Sequence, residues 1–321
     1  QLGEQADLLG IQRFFYENRA HFMPHARLLV PVAPGLAADY AAKIGRVANR
    51  EATGRDVIDK LSVERATHSH DRPYIPASSL KGALRTALLD GLNAGRRPLS
   101  TEKGRGPNSW DSTKLEKRLL EGDYATSPLR LLKPADLMPV GEPAREVLYA
   151  LSRYKDLKRD KYGEERKPRE QLFTRKECIA PGQYRAFQGD LVLQHLGAHD
   201  QSRLTPARHQ RPADLRGIAR DCNRYHLPRL YDELATLDRR NLVDPAWKAA
   251  IEGLLAGELK APLDAGRALL VRLGRYGGAE SKTLSGDGVA QIKIMQAKGM
   301  PPLYESRSRT VWLAAGYADR A

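Results

Sequence analysis

Along the chain, short apolar stretches alternate with long polar, base-rich ones, and their spacing predicts the elements. Leu8, Leu9, Ile11 and the Phe14-Phe15-Tyr16 cluster predict a helix over residues 4–23, which Pro24 stops. Leu28 to Val32, with prolines at its edge, predicts a short strand, and the Ala-rich residues 36–48 a second helix. Residues 49–73 are polar and predict loop. The clearest element is residues 74–89. There Ser78 or Ser79 supplies an N-cap, and Leu80, Ala83, Leu84, Ala87 and Leu88 follow at the i, i+3, i+4 spacing of one apolar helix face. Gly82 on this helix allows another backbone to approach closely.

Glycines, prolines and bases make residues 93–112 read as a mobile basic loop. Leu129 to Met138 reads as strand and turn. Residues 153–177 hold ten bases against six acids, the pattern of a solvated hairpin or a disordered insertion. Phe187, Leu191 and Leu193 alternate within a strand spanning Gln183 to Gln194. Helices are expected over 207–237 and 244–257. Strands are expected at Leu269–Leu273, running into Gly274-Arg275-Tyr276-Gly277-Gly278, and at Ile292–Met295 and Thr310–Ala314. Strand runs mixed with helices favour α+β with an antiparallel sheet over a doubly wound parallel one. No repeat of 20–50 residues is apparent.

A length of 321 residues suggests about two domains. With 41% hydrophobic and 29% charged residues the chain can build a core. Its 53 bases, 36 of them Arg, face 39 acids, a net charge of +14 that favours a polyanionic partner. No apolar run approaches the ~18 residues of a membrane helix. The first ten residues lack the basic and apolar regions of a signal peptide, so the expected compartment is the reducing cytoplasm. Cys178 and Cys222 are isolated, too few for a disulfide framework or a zinc knuckle. Walker A and GxGxxG motifs are absent, so no cofactor is expected.

Three groups of residues suit phosphate. The helix start offers free N–H groups, the hydroxyls of Ser78 and Ser79, and Lys81 and Arg85 four apart on one face. From Gly274 to Thr283, Gly274, Gly277 and Gly278 let backbone approach a phosphate, Arg272, Arg275 and Lys282 add charge, and Tyr276 can stack on a base. Arg216, Arg220 and Arg224 make a one-sided stripe if their segment is helical, suited to RNA or to a neighbouring subunit. His68 and His70 could form an acid–base pair and His195 and His199 a metal site, but a polar loop and the lack of partner ligands favour neither.

The run from Tyr74 to Leu88 resembles the signature of the RAMP superfamily of CRISPR-associated RNA-binding proteins: a strand end, then a helix opening Leu80-Lys81-Gly82-Ala83-Leu84-Arg85, with Ala77 where the family has glycine. Ser127 to Asp136, Glu177 to Gly182 with Phe187 to Leu193, and Leu273 to Thr283 resemble three further family segments. Their order is most similar to the subunit family that caps the crRNA 3′ end in type III-A (Csm) effector complexes. The resemblance implies an RRM-like (ferredoxin-like) core with large helical insertions. It divides as 1–200, the core with basic insertions and lacking the family's N-terminal strand, and 201–321, a helical segment with C-terminal strands and the glycine-rich loop. It implies no enzyme activity, no metal and no membrane. The partners would be crRNA, the backbone RAMP subunit, the small helical subunit and, indirectly, target RNA. The alternatives are a metal-independent crRNA-processing endoribonuclease using His68 or His70, or a RAMP subunit of another type III subtype.

Overall fold

The helix expected after Tyr74 forms from Ala77 to Asn93, and its apolar stripe is the centre of the largest core. The structure is a computed structural model that describes residues 8–44, 47–50, 56–58, 63–104, 110–123, 125–157, 161–163, 173–195, 214–286, 292–294, 299–301 and 303–317. Its helices are α1 (Leu8–Glu17), α2 (Arg19–Phe22), α3 (Pro34–Lys43), α4 (Ala77–Asn93), α5 (Ser112–Leu120), α6 (Leu215–Arg239), α7 (Pro245–Ala256) and α8 (Lys260–Asp264). The strands before α4 are β1 (Val47–Arg50), β2 (Asp56–Ile58), β3 (Val63–Glu64), β4 (His68–Ser69) and β5 (Arg72–Pro73). The middle of the chain supplies β6 (Leu132–Pro134), β7 (Met138–Pro139), β8 (Arg145–Tyr154), β9 (Thr174–Ile179), β10 (Phe187–Gln188) and β11 (Leu191–Leu193). The last three are β12 (Ile292–Ile294), β13 (Leu303–Glu305) and β14 (Thr310–Ala315).

This is an α+β fold, and its main sheet has the order β14-β8-β9-β3. β14, β8 and β9 pair antiparallel, but β3 joins β9 in parallel, so the expected purely antiparallel sheet is a mixed one. Two-stranded pairs β6–β11 and β7–β10 lie beside α4's start. In the largest core, Leu84, Leu88 and Leu80 of α4 meet Ile218, Cys222 and Tyr225 of α6 and Leu132 of β6. A second core packs Ala33 and Leu36 on Val147, Tyr149 and Leu151 of β8, and a third joins Leu237 of α6 to Val311 and Leu313 of β14.

Several expectations are corrected. Leu28–Val32 contributes a single bridge, Val32 to Val147, in place of a strand. Residues 47 and 48 begin β1 and do not extend the helix, and the polar stretch 49–73 contains short strands among its described residues. The loop expected over 93–112 is ordered in part: buried Glu102 accepts from Leu99 N–H and binds Arg118 of α5. Leu269–Leu273 pairs with no strand among the described residues. Asn223 takes the place of a partner, donating to the carbonyls of Leu263 and Ala268 and accepting from Leu270 N–H.

β8 is the longest strand and was not anticipated, because Val147 to Leu151 is a continuous apolar run without period-two alternation. The basic stretch 153–177 is also not solvated at its described ends. Arg153, Arg175 and Lys176 are buried in the sheet, and Arg145 pairs with Glu177 at 3.0 Å with both side chains 5% exposed. Long basic side chains tolerate such sites when each charge finds a carboxylate or an aromatic face. Arg175 does so between the rings of Tyr149 and Phe173.

His226 on α6 is buried, and burial, with the charges of Arg229 and Arg272, pushes its pKa down to about 4. The fold therefore favours the neutral ring. Between pH 6.5 and about 4 the unfolded chain binds a proton that the folded one refuses, so stability falls as pH falls through that window. The contribution is on the order of 3 kcal/mol. Denaturant titrations of wild type and His226→Phe from pH 7 to 4 should show the variant losing this part of the acid sensitivity; parallel curves would reject it.

Candidate nucleic-acid interface

The start of α4 is set by its neighbours across the chain. Tyr74 to Pro76 enters extended, and Ile75 exchanges backbone hydrogen bonds with Leu137 at 3.0 and 2.9 Å. The N-cap position falls on Pro76, which has no side-chain acceptor, so Asp136 Oδ1 accepts from Ala77 N–H at 2.7 Å. The cap expected from Ser78 or Ser79 is thus supplied from 59 residues further on. The carboxylate also occupies the positive end of the helix dipole. Ser78 and Ser79 are exposed.

On that side lies a groove of about 500 Å³ between α4, α5 and residues 122–130, bordered by Ser78, Lys81, Arg85, Lys117 and Arg130. Gly82 lies on its wall, and nothing stands within 4 Å of where a Cβ would sit. The close approach expected at Gly82 is therefore made by no described part of the protein. At Gly91 it is side-chain tips that come near, those of Arg224 and Asp221 of α6. Arg85 is held by Glu116 through a two-pronged ion pair, and Arg130 donates to the Ala125 carbonyl. Lys81 has no carboxylate partner among the described residues. Burial, and then repulsion from Lys133, lower its pKa. Lys117 is a further base of the groove, and the acids Glu116 and Asp123 line it as well. The sequence signal for Arg130 and Lys133 was the Ser127–Asp136 segment; Lys117 carried none.

The glycine-rich loop is largely committed to the protein itself. Gly274 and Gly278 have φ of 99° and 78°, the left-handed region that glycine adopts without strain. Arg272 pairs with Glu233, and Arg275 with Glu64, which also holds Lys176. Tyr276 was expected to stack on a base. Its ring instead stacks on Trp312 at 4.3 Å, and its hydroxyl meets Thr174 Oγ1 at 3.0 Å. Arg229 and the Tyr225 hydroxyl bind the carbonyls of Glu280 and Thr283 and clamp the loop to α6. Burial alone would raise the Glu280 carboxyl, but Lys155 and Ser308 N–H outweigh it and hold it below the usual range. Lys282 is exposed.

Arg216, Arg220 and Arg224 are exposed along α6, as the spacing required, with Arg224 bonded to Asp221 at 2.5 Å. His70 and Asp71 form the tip of the β4–β5 hairpin with φ of 49° and 64°. Arg65 binds Asp71 at 3.2 Å and holds its carboxyl below the usual range. His68 Nδ1 faces the Ala66 carbonyl and His70 Nδ1 the Ser69 hydroxyl, so the rings are engaged separately. His195 is exposed; His199 lies outside the described residues. Burial pushes the Cys222 thiol up to about 12 and raises that of Cys178, which keeps both protonated. No described group of three or more His, Cys, Asp and Glu could hold a metal ion. No described helix is long and apolar enough to cross a membrane.

Residues 61–205, which contain α4, the groove and β6 to β11, match the model of the RAMP superfamily. Among solved structures, the chain is similar to the crystal structure of T. onnurineus Csm5, at 16% identity and a TM-score of 0.38 over 66% of this chain and 64% of that one. It is also similar to a chain in the cryo-EM structure of a Csm-crRNA-target RNA ternary complex of a type III-A CRISPR-Cas system. That match has 16% identity and a TM-score of 0.40, over 82% of this chain and 75% of the other. The present chain thus spans just under two thirds of the Csm5 chain. No curated protein matches it.

Removing the remote cap should loosen α4's first turn. Asp136→Ala is expected to cost about 1 kcal/mol in denaturant unfolding, with Asp136→Asn costing less because the amide oxygen still accepts. Equal stability of wild type and Asp136→Ala would show that the contact contributes nothing.

Proposed function

We propose that this chain is a non-catalytic crRNA-binding subunit of a type III CRISPR effector complex, acting in the cytoplasm. In this reading it caps the 3′ end of the crRNA and the filament of backbone RAMP subunits. It meets target RNA only through the complex, with the small helical subunit as a further neighbour. The four-stranded sheet with its helices serves as the RRM-like RAMP core. The observation that carries the reading is the groove beside α4. The residues of the RAMP signature and of the Ser127–Asp136 segment converge there. Lys81, which has no carboxylate partner among the described residues, lines it with Lys117 and Arg130, and Gly82 leaves open space in its wall.

A non-catalytic role is supported by the hairpin at His68 and His70. Asp71 is spent on Arg65, and the two rings engage different local partners. Specific cleavage of repeat RNA by the pure protein in EDTA, abolished in the His68→Ala/His70→Ala variant, would favour the endoribonuclease reading.

Binding through phosphates makes affinity for a single-stranded RNA of mixed sequence fall with salt, at a log–log slope of roughly −0.7 per phosphate neutralised. Lys81→Ala with Arg130→Ala should weaken binding uniformly across sequences and flatten that slope by one to two phosphates, with unchanged unfolding. An unaltered slope and affinity would remove the groove from the interface.

A further inference from the structure

A second cavity, of about 370 Å³, lies between the C-terminal half of α6, the glycine-rich loop and β14. That is within the ~300–1,000 Å³ of small-molecule sites. Its cations are all spent. Lys155 binds Glu280 at 2.6 Å, Arg272 is paired with Glu233, and Arg229 is held by the carbonyls of Tyr225, Glu280 and Thr283. A phosphate would have to displace these partners. Two other features remain available. Trp312 and Tyr276 both line the cavity and are already stacked on each other, so a flat ring can extend the stack. Asp232, also lining it, is exposed and has no cation partner among the described residues.

An aromatic wall with an unpaired carboxylate matches a planar ligand that brings hydrogen-bond donors on one edge and no negative charge there. We propose that this cavity takes an unstacked nucleobase of the bound RNA, with guanine favoured, and that Asp232 reads its edge. The proposal rests on the RNA-binding reading given above. Guanine presents two convergent donors, N1–H and the N2 amino group, to a carboxylate. Uracil presents a single N–H between two carbonyl oxygens that a carboxylate repels. The α4 groove then holds backbone, and this site, on the other side of the α6 clamp, supplies base preference. Backbone contacts position a nucleic acid, whereas contacts to base edges discriminate among sequences.

The test is titration of the full chain with guanosine, adenosine, cytidine and uridine, which lack phosphate, followed by tryptophan fluorescence. Guanosine should quench most and uridine least. The quench should vanish in Trp312→Phe, in which Trp110 and Trp247 remain. Asp232→Asn should weaken guanosine binding about tenfold or more, as loss of a charged acceptor does. Inorganic phosphate should not compete. No quench by any nucleoside, equal quench by all four, or competition by phosphate would each overturn the assignment. Quench by free arginine and by no nucleoside would assign the cavity to a cationic protein side chain and also overturn it. The nucleoside signal reports only this cavity, whereas oligonucleotide binding by the Lys81/Arg130 variant reports only the groove, so failure of one reading is distinguishable from failure of the other.

Discussion

A single carboxylate decides how the segment around α4 is assembled. Asp136 accepts from the first N–H of α4, and the adjoining Leu137 exchanges both backbone bonds with Ile75. The chain between them makes a long excursion through α5 and back, so the contact closes a large loop and fixes two distant segments in one register. Leu80, Leu84 and Leu88 can then face α6 only one way, because a helix with a fixed start has a fixed rotation. Lys81, Gly82 and Arg85 consequently line the opposite side, along the groove. The same carboxylate disqualifies the helix tip as an anion site, since its dipole is already complemented. Capping and site are thus one arrangement: the acid that secures the helix directs any phosphate to the helix flank.

What the sequence reveals follows from range. The α4 stripe, α6 and α7 are legible because their signals repeat within a turn or two, and all the predicted apolar positions of α4 are buried. β8 was hidden because a strand covered on both faces has no alternation to read. The side-chain partners are the least legible part. Pro76 leaves the cap to a residue on another hairpin, and nothing local to Leu269–Leu273 announces that Asn223 substitutes for a partner strand. The groove was half visible. Lys81 and Arg85 follow from helical spacing, whereas Lys117 is placed beside them only by the packing of α5.

Gly82 and Gly91 separate two uses of the same residue on one helix. Both interrupt a good helix former and cost stability relative to Ala. At Gly91 the neighbours are internal: an added side chain would meet the Arg224 guanidinium and the Asp221 carboxylate of α6. At Gly82 the space is empty. The helix therefore has one glycine beside neighbouring side chains and one on an open, exposed wall.

The net charge of +14 favours a polyanion without placing it, and the described cations differ in how they are paired. A guanidinium already bridged by a carboxylate must exchange one anion for another, with little net gain once desolvation is counted. Arg272, Arg275, Arg145 and Lys155 are all in that condition. They hold the glycine-rich loop, the sheet and α6 together, and their charge is largely cancelled where it stands. Lys81 and Lys133 differ in kind, because they repel each other and burial makes the Lys81 charge costly. A phosphate placed near them relieves repulsion as well as adding attraction, so the free energy of binding is concentrated where the protein has left its charge uncompensated. Among the described bases, the paired Arg272, Arg275, Arg145 and Lys155 build the fold, whereas Lys81 has no carboxylate partner. Lys81 lines the groove beside α4, where Arg85 is already paired with Glu116.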